Sequence, residues 1–482
     1  MTMDDGALGQ AAYAPEPGSY RDGSAQVFYV GQRVLRGLHV AAAAEWENLK
    51  VTQFFRRSQL DGRLIRTREL DAAEAGQMDA SAQRWPKILE HERLPFISYP
   101  YEWSSSMLRD AALLHLDLLE EALHEGLTTK DGTAFNVQWQ GVRPVFLDIA
   151  SFERYRSGTP WAGYRQFCQL FLFPLMLRAY RKVPFQPWLR GHLDGVSPDE
   201  FRKLLSWRDC FRVGVLQHVL LHALLERNVS ETSQSTQTRL SRTGLGKAEL
   251  ALDIVRSTIR HLRKTVQRLK FNAASTSWTG YVQDNSYSVA DRELKAQFVQ
   301  SAASEIKPAL TWDLGCNTGE YSRLCADVGG YVIAIDADVS CIDQLYLALR
   351  AEGRTNILPL VGDVADSSPN MGWRGRERKG LVERGRPDLC LCLALLHHLV
   401  ISRSLPMEEV LQWLAELRCP LVLEFVDRED PLATRLLHGR HDGCPQYSRQ
   451  NFERTLRQLF DIEHYAELAD SHRTLYRVRP QA

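Results

Sequence analysis

The stretch TWDLGCNTGEYS, Thr311 to Ser322, decides the fold of the second half of this 482-residue chain. It opens with a short apolar run that ends in Asp313. The turn-forming residues Gly315, Asn317 and Gly319 follow, and a helix-like segment comes next. This order is typical of a β-strand that passes through a loop into the N-terminus of a helix. One glycine pattern is weak by itself, so the assignment depends on what lies at the right distances downstream.

Four more apolar runs follow, and each one ends in polar residues. YVIAID ends in Asp336, 17 residues after Gly319, and NILPLVGD ends in Asp363. PDLCLCLALLHHL reaches His397 and His398, and PLVLEFVDRED contains Glu424. Strands that alternate with helices predict an α/β domain with an open parallel sheet. Ligands bind such sheets at the carboxyl ends of the strands, where these polar residues fall.

This succession resembles the class I S-adenosylmethionine-dependent methyltransferases, whose first motif is an acidic residue followed by a loop of small residues. The resemblance covers about Trp278 to Tyr476 and implies a Rossmann-like sheet of seven strands. DIEHYAEL and HRTLYRVRP are similar to the closing antiparallel pair of that sheet. Asn317 stands where glycine is commoner, and asparagine tolerates left-handed backbone angles best after glycine, so the turn is predicted to survive. The layout is also similar to a bacterial methyltransferase group that includes the NoeA-type nodulation proteins.

The resemblance implies S-adenosyl-L-methionine as the cofactor and assigns its contacts. Gly315 and Gly319 would let the backbone approach the methionine part, while Asp313 would contact its amino group or orient the loop. Asp336 would hold the ribose. Asp363, together with Val364, would meet the adenine ring. The predicted cofactor-binding residues are therefore Asp313, Gly315, Asn317, Gly319, Asp336, Asp363 and Val364.

Methyl transfer is an in-line displacement, so the protein must align two groups and remove a proton if the acceptor carries one. Imidazole has a suitable pKa, which makes His397 and His398 the candidates for a general base. The alternative is that one of them caps the strand and packs. Glu424 is a second candidate, for base or substrate contact. The Asn-Pro-Pro-Tyr type of motif associated with amino-group methylation is absent, which slightly favours an oxygen acceptor.

Two segments are candidates for substrate contact. Tyr287 and Lys295 precede the first strand, where a segment of this fold often lies over the cofactor; a packing role for the aromatics is the alternative. Trp373 and Arg378 lie in GWRGRERKGLVERGRPD, between the third and fourth strands. Arginines clustered beside an aromatic residue can bind a phosphate or carboxylate, although such a run is more often a solvated loop.

The N-terminal half predicts an α+β domain. Alternation over residues 26–38 predicts a hairpin, and helices are predicted around 41–55 and 105–125. Two short strands, 135–139 and 143–147, are predicted to flank a glycine turn.

Asp131, Asn136 and Asp148 in this half resemble the catalytic loop and the metal-binding aspartate of kinase-like phosphotransferases. Thr129 stands where a histidine is usual, and Asp148 is followed by Ile-Ala instead of Phe-Gly. No glycine-rich loop or strand lysine is recognisable; only arginines such as Arg36 stand in the strand. The resemblance therefore implies a kinase-like fold that is degenerate.

The predicted organisation has four parts. These are a flexible tail over 1–24, the N-terminal α+β domain over 25–227, a polar linker and amphipathic basic helix over 228–274, and the methyltransferase-like domain over 275–482. The basic face of the helix is interpreted as a solvated face.

The bulk charge means that any binding to nucleic acid or to an anionic membrane would need a local charged patch. With 59 basic and 59 acidic residues and a pI near 7.2, no global field attracts nucleic acid or an anionic membrane. No signal segment is evident and the apolar runs are too short to span a bilayer, so membrane insertion is not expected and a cytoplasmic location is predicted.

Nine scattered cysteines predict reduced thiols. His218 and His222 lack the glutamate of a zincin site, so no metal site is predicted.

The resemblance implies an enzyme that methylates an unidentified acceptor, with the N-terminal half recognising that acceptor or a partner. The alternative is a protein that binds S-adenosylmethionine but is catalytically silent, and whose N-terminal half is an interaction module. Neither the acceptor nor the oligomeric state is predicted.

Overall fold

The structure, a computed structural model, describes residues 13–78, 80–220, 246–271, 287–438, 444–468 and 472–481. We call residues 13–271 the N-terminal half and residues 287–481 the C-terminal half. The domain boundary predicted near residue 275 and the polar linker predicted over 228–244 lie outside the described residues.

The N-terminal half is built on antiparallel strands. They are β1 (Tyr13–Pro15), β2 (Ala25–Val30), β3 (Arg33–Leu38), β4 (Thr67–Glu69), β5 (Lys87–His91), β6 (Leu127–Thr129), β7 (Val137–Gln140), β8 (Arg143–Phe146) and β9 (Phe152–Arg154). The first five form one sheet in the order β1-β2-β3-β5-β4. The pairs β6–β9 and β7–β8 are separate ribbons. The predicted hairpin is thus β2–β3, and the predicted glycine turn lies at Gly141, whose φ is +58°.

Helices surround these strands. They are α1 (Val40–Lys50), α2 (Gln53–Leu60), α3 (Ala72–Gly76), α4 (Ala80–Gln83), α5 (Ser105–His124), α6 (Tyr164–Phe167), α7 (Phe173–Met176), α8 (Gln186–Gly191), α9 (Pro198–Leu204) and α10 (Gly246–Arg268). Two π-helical segments, Cys168–Leu172 and Leu177–Arg181, continue α6 and α7. Helix α10 is the predicted amphipathic helix. Its apolar face, with Val255, Ile259 and Leu262, is buried, and Arg263 on the other face pairs with Asp117 at 2.9 Å.

Two local predictions for this half are wrong. The single helix predicted over 41–55 is broken, because Thr52 adopts an extended conformation and its side chain accepts a hydrogen bond from the Phe55 amide, which starts α2. Residues 13–24, predicted to belong to a flexible tail, contain β1 and a segment in which Tyr20 and Arg21 both bind the Glu377 carboxylate. Their composition predicted a tail. The prediction failed because the carboxylate that holds these residues lies more than 350 positions away in the sequence.

The C-terminal half is one mixed sheet with helices, which confirms the α/β prediction. Its strands are β10 (Leu310–Leu314), β11 (Tyr331–Asp336), β12 (Ile357–Val361), β13 (Leu389–Cys392), β14 (Leu421–Val426), β15 (Phe460–Leu468) and β16 (Arg473–Pro480). Its helices are α11 (Val289–Ile306), α12 (Glu320–Asp327), α13 (Val339–Glu352), α14 (Met407–Glu416), α15 (Pro431–His438) and α16 (Arg449–Leu459).

The strand order in this sheet is β12-β11-β10-β13-β14-β16-β15. Strands β10 to β14 are parallel, and β15 and β16 close the sheet in antiparallel fashion. Every residue of β13 and β14 is buried, as a sheet covered on both faces requires. The carboxyl ends of five strands therefore meet along one edge of the sheet.

The two halves share a continuous hydrophobic core. Helix α13 of the sheet packs on α5 of the N-terminal half, where the Asp110 carboxylate accepts a hydrogen bond from the Tyr346 hydroxyl at 2.6 Å. Trp139 meets the Tyr346 ring edge-on, with the ring centroids 5.5 Å apart. The N-terminal half thus covers part of the helical layer of the sheet.

The loop between β12 and β13, residues 362–388, is also held by the N-terminal half. Arg384 is buried and forms two hydrogen bonds, of 2.6 and 2.7 Å, to the Glu102 carboxylate. Arg190 pairs with Asp366 at 3.1 Å. This loop reaches the carboxyl edge of the sheet, so the N-terminal half contacts the region where ligands bind in folds of this class.

Among the described residues, no helix has the length and apolar character needed to cross a membrane. All nine cysteines carry free thiols, as predicted.

Candidate functional site

The loop after β10 has the backbone that its glycines and its asparagine predict. Gly315, Asn317 and Gly319 have φ values of +77°, +50° and +77°, so all three adopt left-handed conformations. A Cβ atom at position 319 would lie 2.6 Å from a terminal methyl group of Leu345, so the Leu345 side chain would have to move. Asn317 occupies the left-handed region that asparagine tolerates, so its substitution for glycine leaves the turn intact.

The Asp336 carboxylate fastens this loop to the end of β11. Its two oxygens accept hydrogen bonds from the Asn317 amide and from the Asp338 amide, each at 2.8 Å. The Gly315 amide donates to the Ile335 carbonyl, also at 2.8 Å. Burial raises the pKa of Asp336, and the two amide hydrogen bonds oppose that rise. The carboxylate is half-buried, so part of it still faces solvent at the edge of the sheet.

Asp313 is buried beneath the loop. One of its oxygens accepts a 2.5 Å hydrogen bond from the Ser322 hydroxyl, which connects the end of β10 to the first turn of α12. Burial raises the pKa of Asp313 to about 6, although the Ser322 hydrogen bond acts in the opposite direction. Of its two predicted roles, the one visible in these contacts is orientation of the loop.

Asp363 stands at the end of the next strand, β12. Its side chain accepts a hydrogen bond from the Ala365 amide at 2.9 Å and caps the short helical turn Val364–Asp366. It also forms an ion pair with Arg403. Val364 is half-buried. The structure therefore brings the predicted cofactor-binding residues together at the ends of the adjacent strands β10, β11 and β12.

The two candidate bases follow β13 and differ in access. The His397 ring is fully buried, and neither ring nitrogen has a hydrogen-bond partner within the described residues. Burial lowers the pKa of His397 well below its ordinary value. His398 is half-buried, its ring centroid lies 4.0 Å from that of His397, and burial followed by the Arg473 charge lowers its pKa to about 4. Both rings are therefore neutral at neutral pH, and His398 has the better access to a ligand.

Glu424, the second candidate base, lies in a buried charged group that we call the Glu424 cluster: Tyr287, Lys295, Glu424, Asp430 and Arg473. The Lys295 ammonium lies 2.7 Å from one Glu424 oxygen, and the Tyr287 hydroxyl donates to the other at 2.5 Å. Arg473 contacts Tyr287, lies 3.4 Å from Glu424 and pairs with Asp430 at 2.9 Å.

The cluster holds Glu424 ionised. Burial alone would raise the pKa of Glu424, but the charges of Lys295 and Arg473 outweigh burial and lower it. Burial also lowers the pKa of Lys295 despite the Glu424 charge. Both Glu424 oxygens are engaged, so its role as a base stays a prediction. Sequence reasoning missed Arg473 and Asp430, because nothing local marks a strand arginine as the partner of a distant carboxylate.

Lys295 lies beside α12, and a role of Tyr287 and Lys295 in covering a cofactor stays a prediction. The Lys295 ammonium is 4.7 Å from the centroid of the Tyr321 ring, and Tyr321 comes two residues after Gly319. The aromatic residues Trp278 and Tyr281 of the same predicted segment lie outside the described residues.

The four predicted substrate contacts do not form one group. Trp373 is 66% exposed, on a hairpin of the loop between β12 and β13. Arg378 is buried on the same hairpin and lies over the Phe135 ring of the N-terminal half, 5.8 Å from its centroid. Neither residue shares a hydrogen bond, an ion pair or a ring contact with Tyr287 or Lys295 within the described ranges.

In the N-terminal half the motif residues also come together. Asp148 forms an ion pair with Arg36 of β3. Burial raises the pKa of Asp131, and the nearby charge of Asp148 raises it further. The Asn136 carbonyl accepts a hydrogen bond from the Leu147 amide at 2.8 Å, which places the two parts of the motif side by side.

A cavity of about 530 Å³ lies at the opposite, amino-terminal edge of the sheet, lined by charged residues that include Asp388, Arg418 and Arg477. A second, of about 520 Å³, lies in the N-terminal half beside Arg165 and Glu200. The strand-end acids lie at neither cavity. The described residues contain no group of three or more histidine, cysteine or acidic side chains that could hold a metal ion.

Comparison with known proteins finds one full-length relative. No family model matches the chain. Nodulation protein NoeA of Rhizobium meliloti (strain 1021) is 35% identical over 471 residues, which cover 96% of this chain and 97% of that protein.

Solved structures of two methyltransferases are similar to less than half of the chain. The N-methyltransferase NodS from Bradyrhizobium japonicum WM9, in complex with S-adenosyl-L-homocysteine, is 13% identical, with a TM-score of 0.31, over 43% of this chain and 94% of that one. Magnesium protoporphyrin IX methyltransferase from Synechocystis PCC 6803, with bound SAM, is 18% identical, with a TM-score of 0.29. The match covers 45% of this chain and 96% of that one.

Proposed function

This chain belongs to the family of nodulation protein NoeA, and from the carboxyl edge of its sheet we propose that it transfers a methyl group from S-adenosyl-L-methionine to an acceptor. One observation carries the proposal. The Asp336 carboxylate, at the end of the second strand, is bound to the Asn317 amide of a left-handed loop at the end of the first strand. The strand order, with its closing antiparallel pair, agrees with the sheet that the class I resemblance implies.

The residues present fit the cofactor. The half-buried Asp336 carboxylate has oxygen lone pairs left over for two ribose hydroxyls after it accepts its two amide hydrogen bonds. The left-handed loop exposes backbone close to where the methionine part would lie, and Asp363 with Val364 would border the adenine ring. The bound cofactor would supply an activated methyl group on a sulfonium. The chain's own task would be to orient the acceptor and to remove its proton.

For that proton we propose His398. Its ring is neutral at neutral pH and reaches solvent at the end of β13, while His397 packs behind it. An oxygen acceptor remains slightly favoured. The N-terminal half would recognise the acceptor or a partner, since it holds the loop between β12 and β13 through Glu102 and Arg190.

The first test is calorimetric binding of S-adenosyl-L-methionine to the full-length protein and to Asp336→Ala. We expect micromolar binding that weakens at least tenfold in the variant. Asp327→Ala is the matched control, because it removes a carboxylate at the C-terminal end of α12, away from the strand-end acids. Failure of the correctly folded intact protein to bind, or equal binding by all three proteins, would contradict the proposal.

The rival proposal is a cofactor-binding regulator without catalysis. It predicts binding without turnover when cell extract is offered as the source of acceptors. The enzyme proposal predicts production of S-adenosyl-L-homocysteine, which falls in His398→Ala while cofactor affinity stays unchanged. Full activity in both His397→Ala and His398→Ala would exclude a histidine base.

We also propose that the N-terminal half has a degenerate kinase-like fold that does not transfer phosphate. The order of α5, β6, the turn with Asp131 and Asn136, the ribbon β7–β8 and then Asp148 supports this interpretation. The carboxylate of Asp148, which would have to hold a metal ion, is already paired with Arg36. ATP hydrolysis by the intact protein that is lost in Asp148→Ala would overturn the proposal.

A further inference from the structure

Among the residues that the structure describes, the buried Arg378 guanidinium has no anionic partner. Arg378 is 7% exposed, and within the described residues its buried Nε and Nη1 atoms donate no hydrogen bond. Other buried arginines of this chain are paired: Arg384 with Glu102, and Arg473 with Glu424 and Asp430. An unpaired buried charge is strongly unfavourable, so this position is suited to an anion that comes from outside the chain.

The backbone that carries Arg378 is held in place by other residues. Met371 and Arg378 close a small hairpin through two backbone hydrogen bonds, of 2.9 and 3.2 Å. Glu377 binds Tyr20 and Arg21, and the Lys379 amide donates to the Tyr99 hydroxyl at 2.7 Å. Because residues on both sides of Arg378 are fastened to the N-terminal half, the guanidinium is positioned before any ligand binds.

Further unused donors lie along the same junction. Phe135, over which Arg378 lies, is followed by Asn136, whose buried Nδ2 atom has no hydrogen-bond partner within the described residues. The Asn136 carbonyl is bonded to the Leu147 amide, and the next residue, Asp148, pairs with Arg36. The Arg36 Nε atom is also buried and has no hydrogen-bond acceptor in the described part of the chain. The negative charge of Asp148 is already compensated by Arg36, so it does not neutralise Arg378.

We propose that this junction of the two halves binds a small molecule through a phosphate or carboxylate group that accepts hydrogen bonds from Arg378 and Asn136. An oxyanion supplies the negative charge that Arg378 lacks and several acceptor atoms for the unused N–H groups. A neutral ligand would leave the charge uncompensated. The site is distinct from the strand-end acids and needs no S-adenosyl-L-methionine, so its failure and the failure of the methyltransferase proposal are distinguishable.

The test uses the full-length protein without cofactor. Inorganic phosphate and acetate are titrated by calorimetry and by thermal unfolding, against sodium chloride at equal ionic strength. Phosphate at about 100 times its Kd should raise the Tm by about 2 to 3 °C. Binding of phosphate alone indicates a phosphoryl group and binding of both ions indicates any oxyanion; both outcomes support the proposal. No response to either ion beyond chloride overturns it.

Variants separate an anion site from a purely structural arginine. Arg378→Gln should weaken phosphate binding about tenfold or more. Arg376→Gln should not, because Arg376 is an exposed arginine of the same hairpin. Arg378→Met removes the unpaired charge and keeps the apolar contact with Phe135, so it should unfold at the same or a higher temperature than the natural protein in chloride, yet lose the gain from phosphate.

A structural arginine makes the opposite prediction. Arg378→Met would then unfold at a lower temperature in chloride, and its response to phosphate would match that of the natural protein; this pair of results would overturn the proposal. If neither variant folds, Arg378→Lys keeps the charge and loses the planar fork. It should bind phosphate more weakly, and unchanged affinity in that variant would also contradict the site.

Discussion

Replacing Glu424 with glutamine should destabilise the protein strongly, because it leaves two buried cations without their shared anion. The Lys295 ammonium and the Glu424 carboxylate are 2.7 Å apart and only 3% and 0% exposed. At an effective dielectric constant of about 20, two unit charges at that distance attract by about 6 kcal/mol. Desolvation offsets part of this attraction in the natural protein. Loss of one partner from a buried pair costs about 3 to 5 kcal/mol, and we expect a loss in that range.

The assay is urea unfolding of the full-length protein, followed by circular dichroism, for Glu424→Gln, Lys295→Met and the double variant. In a double-mutant cycle the double variant should be more stable than the sum of the single losses predicts, because it no longer buries an unpaired charge. The matched control is Glu305→Gln. Glu305 lies 2.6 Å from Arg477 but is 58% exposed, so its loss should cost less than about 1 kcal/mol.

The pH dependence of Glu424→Gln gives a second readout. Burial depresses the pKa of Lys295, and without Glu424 that depression deepens. The unfolded variant then binds more protons than the folded variant up to the ordinary pKa of lysine, so its stability rises with pH between neutral and alkaline conditions. A loss below about 1 kcal/mol, or a cycle in which the single effects simply add, would refute the view that Glu424 is the anion of a buried pair.

Three further predictions concern the cofactor edge. Gly319→Ala should cost about 1 to 3 kcal/mol in urea unfolding, because the residue has φ +77° and its Cβ would meet Leu345, whereas Gly353→Ala, with φ +68° but open space, should cost less; equal losses would argue against the steric reason. The pKa of Asp313 is raised from 3.8 to about 6, so the folded state binds more protons in that window and stability falls by about 3 kcal/mol as pH rises through it. In Asp313→Asn that slope should disappear, and its persistence would assign it to other groups. If His398 is the base, its pKa of about 4 predicts turnover that stays flat from pH 8 down to about 5 and falls only below that. A midpoint near 6.5 that survives in His398→Asn would contradict this role.

Much of the candidate cofactor site could be predicted from the sequence, because the loop conformation and the strand ends depend on residues that are near each other in the chain. Gly315, Asn317 and Gly319 predict the left-handed loop, and apolar runs that end in acidic residues predict where the strands end. The carboxyl ends of neighbouring parallel strands share one edge, so the sequence predicts that Asp313, Asp336 and Asp363 lie close together.

The N-terminal half was less predictable from its sequence. The helix breaks at Thr52 because the Thr52 side chain caps a new helix instead of continuing the first one. The helical periodicity over 41–55 does not reveal this break. The segment before position 25 is short and polar. Tyr20 and Arg21 hold it in place by hydrogen bonds to the Glu377 carboxylate of the other half.

The sequence by itself determined the α/β class, the left-handed loop after β10 and the positions of the strand-end acids, since strand periodicity and turn chemistry depend on near neighbours. Only the tertiary structure decided that Arg473 and Asp430 join Glu424 and that the N-terminal half shares a core with the sheet. It also decided that Arg378 is buried without an anionic partner among the described residues. The physical reason is that a charged residue can lie on a solvated surface or in a buried pair, and its neighbours in sequence do not decide between the two. Which of these applies depends on residues that lie far away in sequence and reach it only through the folded chain.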